Sequence, residues 1–293
     1  MQRQLGAQMV KQRSLQSQLR KMKASEIPSD MGLLPETLLM PTLRYRPSLF
    51  SSQFKKRLRL EWASFTQPFA DLARFFYLTW WTAKKNPIDG KKPKTPLLLR
   101  DRYVIAQDLH RRLYTAIAND DSETIEKIAC TGLKRQLQIR FDQRKAQKLP
   151  KEDLKIEYTG FNSPKMPWLI HALIPGPFKG VQIVADRYAA LPVGEDASLR
   201  QIFARIRSVQ TLDKNDGRGP RRVPKTEIVV FQQMKIDGVE DDWMIWGTTE
   251  PTMGAKLDEF LDAKQNSGQE TAWSRMKDTL TGVATKQGQN PGL

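Results

Sequence analysis

Apolar and aromatic residues recur every three or four positions through Phe54, Leu58, Trp62, Phe65, Phe69, Leu72, Phe76 and Trp80, which predicts one long amphipathic helix over residues 54–94 with a single apolar stripe. Pro68 removes one backbone donor and is expected to kink or divide it. The half from Phe54 to Phe65 is then expected to pack on a folded domain. The far end, Phe75-Phe76-Tyr77-Leu78-Thr79-Trp80-Trp81, carries more aromatic surface than one packing face requires. Asp71 and Arg74 interrupt the apolar run, so the expected pose is along a bilayer surface rather than across it. Asn86-Pro87 and a Lys/Pro-rich link to Pro96 end the segment.

A second stripe, Leu99, Tyr103, Ala106, Leu109, Leu113 and Ile117, predicts a helix closing at Asn119. Asp120 and Glu123 have capping-box spacing, and a third helix is expected to carry Ile125, Ala129, Leu133, Leu137 and Phe141 on one face. After Pro150 the period changes to two. Leu154–Tyr158, Trp168–Ile174, Val181–Tyr188, Ile202–Arg207, Thr226–Ile236 and Trp243–Thr248 read as strands, with Asp237-Gly238 as a hairpin turn. Helices first and an antiparallel meander second predict an α+β domain with helices on one sheet face. Lys214 to Lys225 is expected to be a flexible loop between two strands.

Upstream, residues 1–25 hold six basic residues and no acidic one, the composition of a transit peptide or of a basic arm that binds a polyanion. Pro28, Pro35, Pro41 and Pro47 then make residues 26–47 an extended connector lying along a surface. The expected organisation is a basic extended N-terminal arm over 1–53, an amphipathic helix and basic linker over 54–96, an α+β domain over 97–265 and a C-terminal tail over 266–293, with short helices around Leu257 to Leu261 and near Trp273.

The net charge of +16 favours an anionic partner, nucleic acid or acidic lipid, and residues 1–60 carry twelve basic and three acidic residues. One cysteine, Cys130, allows no internal disulfide, and with only His110 and His171 beside it no Cys/His zinc site assembles. No phosphate-binding loop, dinucleotide fingerprint or nucleophile elbow is present, and Gly217-Arg218-Gly219 is only a fragment. Asp108 and His110 are two apart and do not face each other on a helix, His171 has no visible acid partner, and Cys130 reads as packing. The expectation is a non-enzymatic protein without cofactor or metal. An enzyme would need His110 or His171 in a polar pocket with a carboxylate in hydrogen-bond reach.

The run from Leu113 through Asn119-Asp120-Asp121-Ser122-Glu123 to Ile128 and Leu133 resembles the helix, Asp-containing turn, helix signature in the C-terminal domain family of the mitochondrial import-motor scaffold. The resemblance spans residues 54–265 and implies a cystatin-like, nuclear-transport-factor-like cone preceded by amphipathic helices that associate with cardiolipin-rich membrane. The short basic N-terminal region departs from the import-motor scaffold itself and fits the family's ribosome-associated branch, which comprises a mitochondrial large-subunit ribosomal protein and a fungal inner-membrane ribosome receptor. That branch implies a matrix-side, peripheral inner-membrane component that binds large-subunit rRNA and ribosomal proteins near the tunnel exit and tethers ribosomes for co-translational insertion, alongside the insertase machinery. The import-motor scaffold and a cone-fold enzyme are the alternatives. The RNA-contacting residues expected on this reading are Lys11, Arg13, Arg20, Lys21, Lys23, Lys55, Lys56, Arg57, Arg59, Arg218, Arg221 and Arg222. The lipid- or partner-contacting ones are Phe75, Phe76, Tyr77, Trp80, Trp81, Lys84 and Lys85.

Overall fold

The computed structural model describes residues 28–34, 37–41, 46–47, 53–77, 79, 98, 101–148, 152–159, 180–191, 197–213, 219–236 and 239–267. The predicted strand over 168–174 and the helix near Trp273 lie outside them. The helices are α1 (Phe54–Phe76), α2 (Asp101–Asn119), α3 (Ser122–Ile128), α4 (Thr131–Ala146) and α5 (Ala255–Ser267). The strands are β1 (Asp153–Tyr158), β2 (Val181–Ala190), β3 (Ser198–Asp213), β4 (Arg221–Ile236), β5 (Val239–Glu240) and β6 (Met244–Thr249). The chain is α+β, and its described parts fall into two compact units. One is drawn from Met1–Leu39 and Thr66–Glu250, the other from Met40–Phe65 and Pro251–Leu293.

In the first unit two strands of 16 residues, β3 and β4, form the antiparallel spine of a six-stranded sheet. Each is flanked by two short strands in succession. β2 pairs with the first half of β3 and β1 with its second half, while β6 and β5 share the outer edge of β4. Gly180 stands where β1 hands over to β2, at φ +77°. A Cβ there would lie 2.6 Å from the Arg207 carbonyl and 2.9 Å from Tyr158 Cβ, so both the backbone conformation and the space demand glycine. The register Ile236↔Val239 leaves two residues for the β4–β5 hairpin, as Asp237-Gly238 predicts.

One sheet face takes the helices. Tyr103, Ala106, Leu109, Leu113 and Ala116 of α2, Ile125 and Ile128 of α3, and Leu137 and Phe141 of α4 form a single core with Ile202, Ala204, Ile206, Val229, Phe231 and Ile245. The predicted third helix is in fact two. The chain breaks at Ala129–Cys130 because Ala129 bridges to Ile245 and the Cys130 N–H donates to the Ile245 carbonyl at 2.9 Å, a sheet contact that outcompetes the next helical turn. The cap also moves one residue. Asp121 receives the Thr124 N–H at 3.1 Å, whereas Asp120 adopts φ +52° and pairs with Arg144 at 3.0 Å. Arg144 also binds Glu152 at 2.6 Å, tying the helical hairpin to the start of β1.

The opposite sheet face is crossed by the extended connector. Gln201 and Gln232, both fully buried, face each other across β3 and β4. Gln201 accepts from Leu34 N–H at 2.9 Å and donates to the Gly32 carbonyl at 2.6 Å, and Gln232 donates to the Ser29 carbonyl at 2.5 Å. Two side-chain amides thus read the connector's backbone as a neighbouring strand would, which satisfies polar groups that burial would otherwise leave costly. Asp30 accepts from Trp246 Nε1 at 2.6 Å, and its other oxygen fills the place where a side chain on Gly132, in the first turn of α4, would sit. Ser29 Oγ accepts from Thr131 N–H at 3.1 Å, supplying an α4 cap that Cys130 does not. Leu39 joins Ala185, Phe203, Ile228 and Val230 in the core on this side.

Candidate functional site

α1 is continuous from Phe54 to Phe76 and Pro68 does not divide it. Pro68 lies on an exposed side of the helix, where the carbonyl its ring releases can turn to water. The helix is inverted relative to expectation. Its inward face holds Arg57, Leu60, Ala63, Gln67, Asp71 and Phe75, all buried, and just past its end Thr79 is buried too. Its apolar stripe points outward. In the half within the second unit, Phe54 is 49% exposed, Leu58 59%, Trp62 65% and Phe65 62%, and in the half within the first unit Phe69 is 61% and Phe76 37% exposed. Within the segment expected to pack, Phe54–Phe65, the buried residues are Leu60 and Ala63, whereas the larger stripe residues are largely exposed.

Phe75 is corrected in the opposite sense. It is 5% exposed, meets Tyr188 edge-on at 5.4 Å between ring centroids, and carries the Arg200 guanidinium 5.2 Å above its ring. Its helical phase is 300° from Phe54, on the inward side, so it is a core anchor and not a lipid contact. Phe76 and Tyr77 remain outward. Trp80, Trp81, Lys84 and Lys85 lie outside the described residues. Deeper in, Arg200 holds Asp186 through two hydrogen bonds, 3.0 Å and 2.8 Å, and Arg102 joins the same carboxylate at 3.0 Å. Asp71 pairs with Arg187 at 2.6 Å, both 7% exposed, and burial raises the Asp71 pKa in spite of that partner.

Among the expected RNA-contacting residues, Arg57 is corrected: at 9% exposure it is committed to Glu61 at 2.7 Å and to the Pro47 carbonyl. Glu61 also receives Arg46 at 2.8 Å, so the acid beside the stripe is doubly neutralised. Lys56 pairs with Asp258 at 2.5 Å, while Lys55 and Arg59 are exposed on the other flank of the stripe. Arg221 and Arg222 belong to β4 and not to a flexible loop, and both are exposed, Arg222 in a surface pair with Glu157 at 3.2 Å. Lys11, Arg13, Arg20, Lys21, Lys23 and Arg218 lie outside the described residues, as does His171.

Among the described residues, an acid-base cluster that sequence reasoning missed surrounds His110, which is fully buried. Its Nδ1 is 3.0 Å from Tyr158 Oη and its Nε2 is 3.0 Å from Glu227 Oε1. Glu227 also accepts from Tyr114 Oη at 2.8 Å and from Lys225 Nζ at 3.0 Å. With the Tyr158 hydroxyl donated to the Gln107 carbonyl at 3.0 Å, both imidazole nitrogens donate; with it turned to Nδ1, the ring is neutral and protonated at Nε2. Either way no ring nitrogen is left for a substrate. Burial opposes ionisation of Glu227, but the hydrogen bond from His110 and the charge of Lys225 outweigh it and lower its pKa. Burial pushes Tyr158 up to about 12 and raises Tyr114 further.

Because the folded pKa of Glu227 lies below its unfolded value, its contribution is complete above about pH 4.5 and is lost as pH falls through the folded value. Glu227→Gln is expected to cost about 2 kcal/mol at pH 7 and to flatten the acid limb of a stability profile followed by circular dichroism. A variant with wild-type stability at pH 7 and a wild-type acid limb would remove Glu227 from this role.

No family model and no curated protein matches the chain. Among the described residues no three His, Cys, Asp or Glu side chains gather as a metal site, and no helix is long and apolar enough to cross a membrane.

Proposed function

We propose that the protein is a non-enzymatic adaptor on the matrix side of the mitochondrial inner membrane, either a component of the large ribosomal subunit or its membrane receptor, built on a cystatin-like cone. The observation that carries this reading is the outward apolar stripe of α1. Full burial of a large apolar side chain is worth roughly 1.5–3 kcal/mol, so seven left half-exposed forgo on the order of 5–10 kcal/mol, which a stable helix recovers when something apolar covers the stripe. A bilayer surface fits. The stripe is continuous, its acidic neighbour is neutralised, and Lys55 and Arg59 stand beside it to meet lipid phosphate.

The +16 charge and the basic N-terminal segment support rRNA as the second partner. The connector over 29–34, hydrogen-bonded to Gln201 and Gln232, gives that segment a fixed point of departure from the sheet. Co-sedimentation with mitochondrial large subunits is expected to weaken by at least tenfold between 50 and 200 mM salt, and deletion of residues 1–25 to weaken it similarly at low salt. Binding that ignores both salt and the deletion would contradict the ribosomal half of the proposal. The distance from His110 to Glu227 meets the geometric condition set for an enzyme, but with both ring nitrogens engaged it serves to lock α2 onto β1 and β4.

A further inference from the structure

Beside the His110 cluster, the register places Tyr158 of β1, Ser208 of β3 and Lys225 of β4 side by side on the sheet face that carries α2. Gln210 follows two residues along the same face, between Ile156 and Val223. Ser208 is 2% exposed, and its Oγ is a buried atom with no hydrogen-bond partner among the described residues. Gln210 Nε2 is buried likewise, with the Tyr114 hydroxyl as its polar neighbour. A native core leaves few such atoms, and two on neighbouring positions of one strand face call for an explanation.

The chemistry of the group is one-sided. Tyr114 gives its proton to Glu227. Lys225 lies over the Tyr114 ring at 4.5 Å, contacts that hydroxyl and Glu227, and retains a third proton. Ser208 adds an uncommitted hydroxyl, and the Gln210 amide has protons beyond the one facing Tyr114. Arg111 lies 5.7 Å over the Tyr158 ring and the charge of Arg140 reaches Tyr114, so with Lys225 three cations face two carboxylates, Glu227 and Asp108. A metal ion finds no ligand set here. Water would bring two donors with almost nothing to receive them, whereas a carboxylate or phosphate presents several acceptors and one negative charge.

We propose that Ser208 Oγ, Gln210 Nε2 and Lys225 Nζ form a binding site for a small oxyanion, a free phosphate or a carboxylate, between α2 and the β1–β3–β4 face. Lys225, 39% exposed, is its side toward solvent. The burial of Ser208 selects a small molecule over a polynucleotide backbone. The site lies on residues that play no part in the α1 stripe, so it stands independently of the adaptor reading.

The test is thermal unfolding of the full chain in chloride buffer, with inorganic phosphate or acetate added at matched ionic strength. At least one oxyanion is expected to raise the wild-type Tm by about 3 °C or more in a saturable manner, and Ser208→Ala to abolish most of that rise. In chloride alone Ser208→Ala is expected to melt at or above the wild-type Tm, because it deletes an unsatisfied buried hydroxyl. No oxyanion-specific rise, an equal rise in Ser208→Ala, or a Ser208→Ala protein less stable than wild type in chloride, as a resident water would produce, would each overturn the site.

Discussion

Replacing Arg187 with Met is expected to destabilise the protein by about 3–5 kcal/mol, measured by denaturant unfolding, because it strands the Asp71 carboxylate in a site where each partner is only 7% exposed. Burial already raises the Asp71 pKa with Arg187 in place, so the lone carboxylate would take up a proton and the loss would shrink as pH falls. The double variant Asp71→Leu with Arg187→Met is expected to regain most of the loss, since two apolar groups leave no buried charge. A single variant within 1 kcal/mol of wild type would mean that the pair is not buried. The prediction bears on function because the stripe side of α1 is more apolar than the side it buries. Hydrophobicity alone favours the opposite rotation, and the ion pair of Asp71 with β2, together with Phe75 against Tyr188, fixes the one observed.

The second large effect concerns the stripe itself. Trp62→Ser, Phe65→Ser and Phe69→Ser combined are expected to lower binding to cardiolipin-containing vesicles at least tenfold in flotation. Unfolding stability should hold or rise, since these side chains are 61–65% exposed. The same change at Phe75 would act the other way, unfolding the domain before any membrane effect could be read. Unchanged flotation of the triple variant would leave the stripe without a lipid role.

How much of this was legible in the sequence follows from what each pattern encodes. The period-two runs located β1, β2, β4 and β6, and the stripe of α2 matched its buried face through Tyr103, Ala106, Leu109 and Leu113, because in those elements apolarity and burial coincide. Periodicity reports only that a helix has two unlike faces, and for α1 the richer face turned out to be the outer one. That sign is set by Asp71 finding Arg187, 116 residues away. Distance in the chain hid Glu227 from His110 in the same way, across 117 residues. The lone signal was a Glu two places from Lys225 inside a strand-forming run. The break at Ala129–Cys130 was invisible for a related reason, being made by a carbonyl of β6. Arg57 read as one more cation of a basic run, and only the neighbouring Glu61 one turn on hinted at its burial.

Accessibility of a spin label tests the outward stripe most directly. With Cys130, which is buried, replaced by Ala, a nitroxide would be attached at Phe69→Cys and, separately, at Lys55→Cys, and collision with oxygen and with a nickel chelate compared before and after adding cardiolipin vesicles. The account predicts a label at position 69 that is mobile and nickel-accessible in solution and becomes oxygen-accessible and nickel-shielded on vesicles, while the label at 55 stays in the aqueous headgroup layer. A label at 69 that is immobile and shielded before any lipid is added, or unchanged after it, would contradict the account.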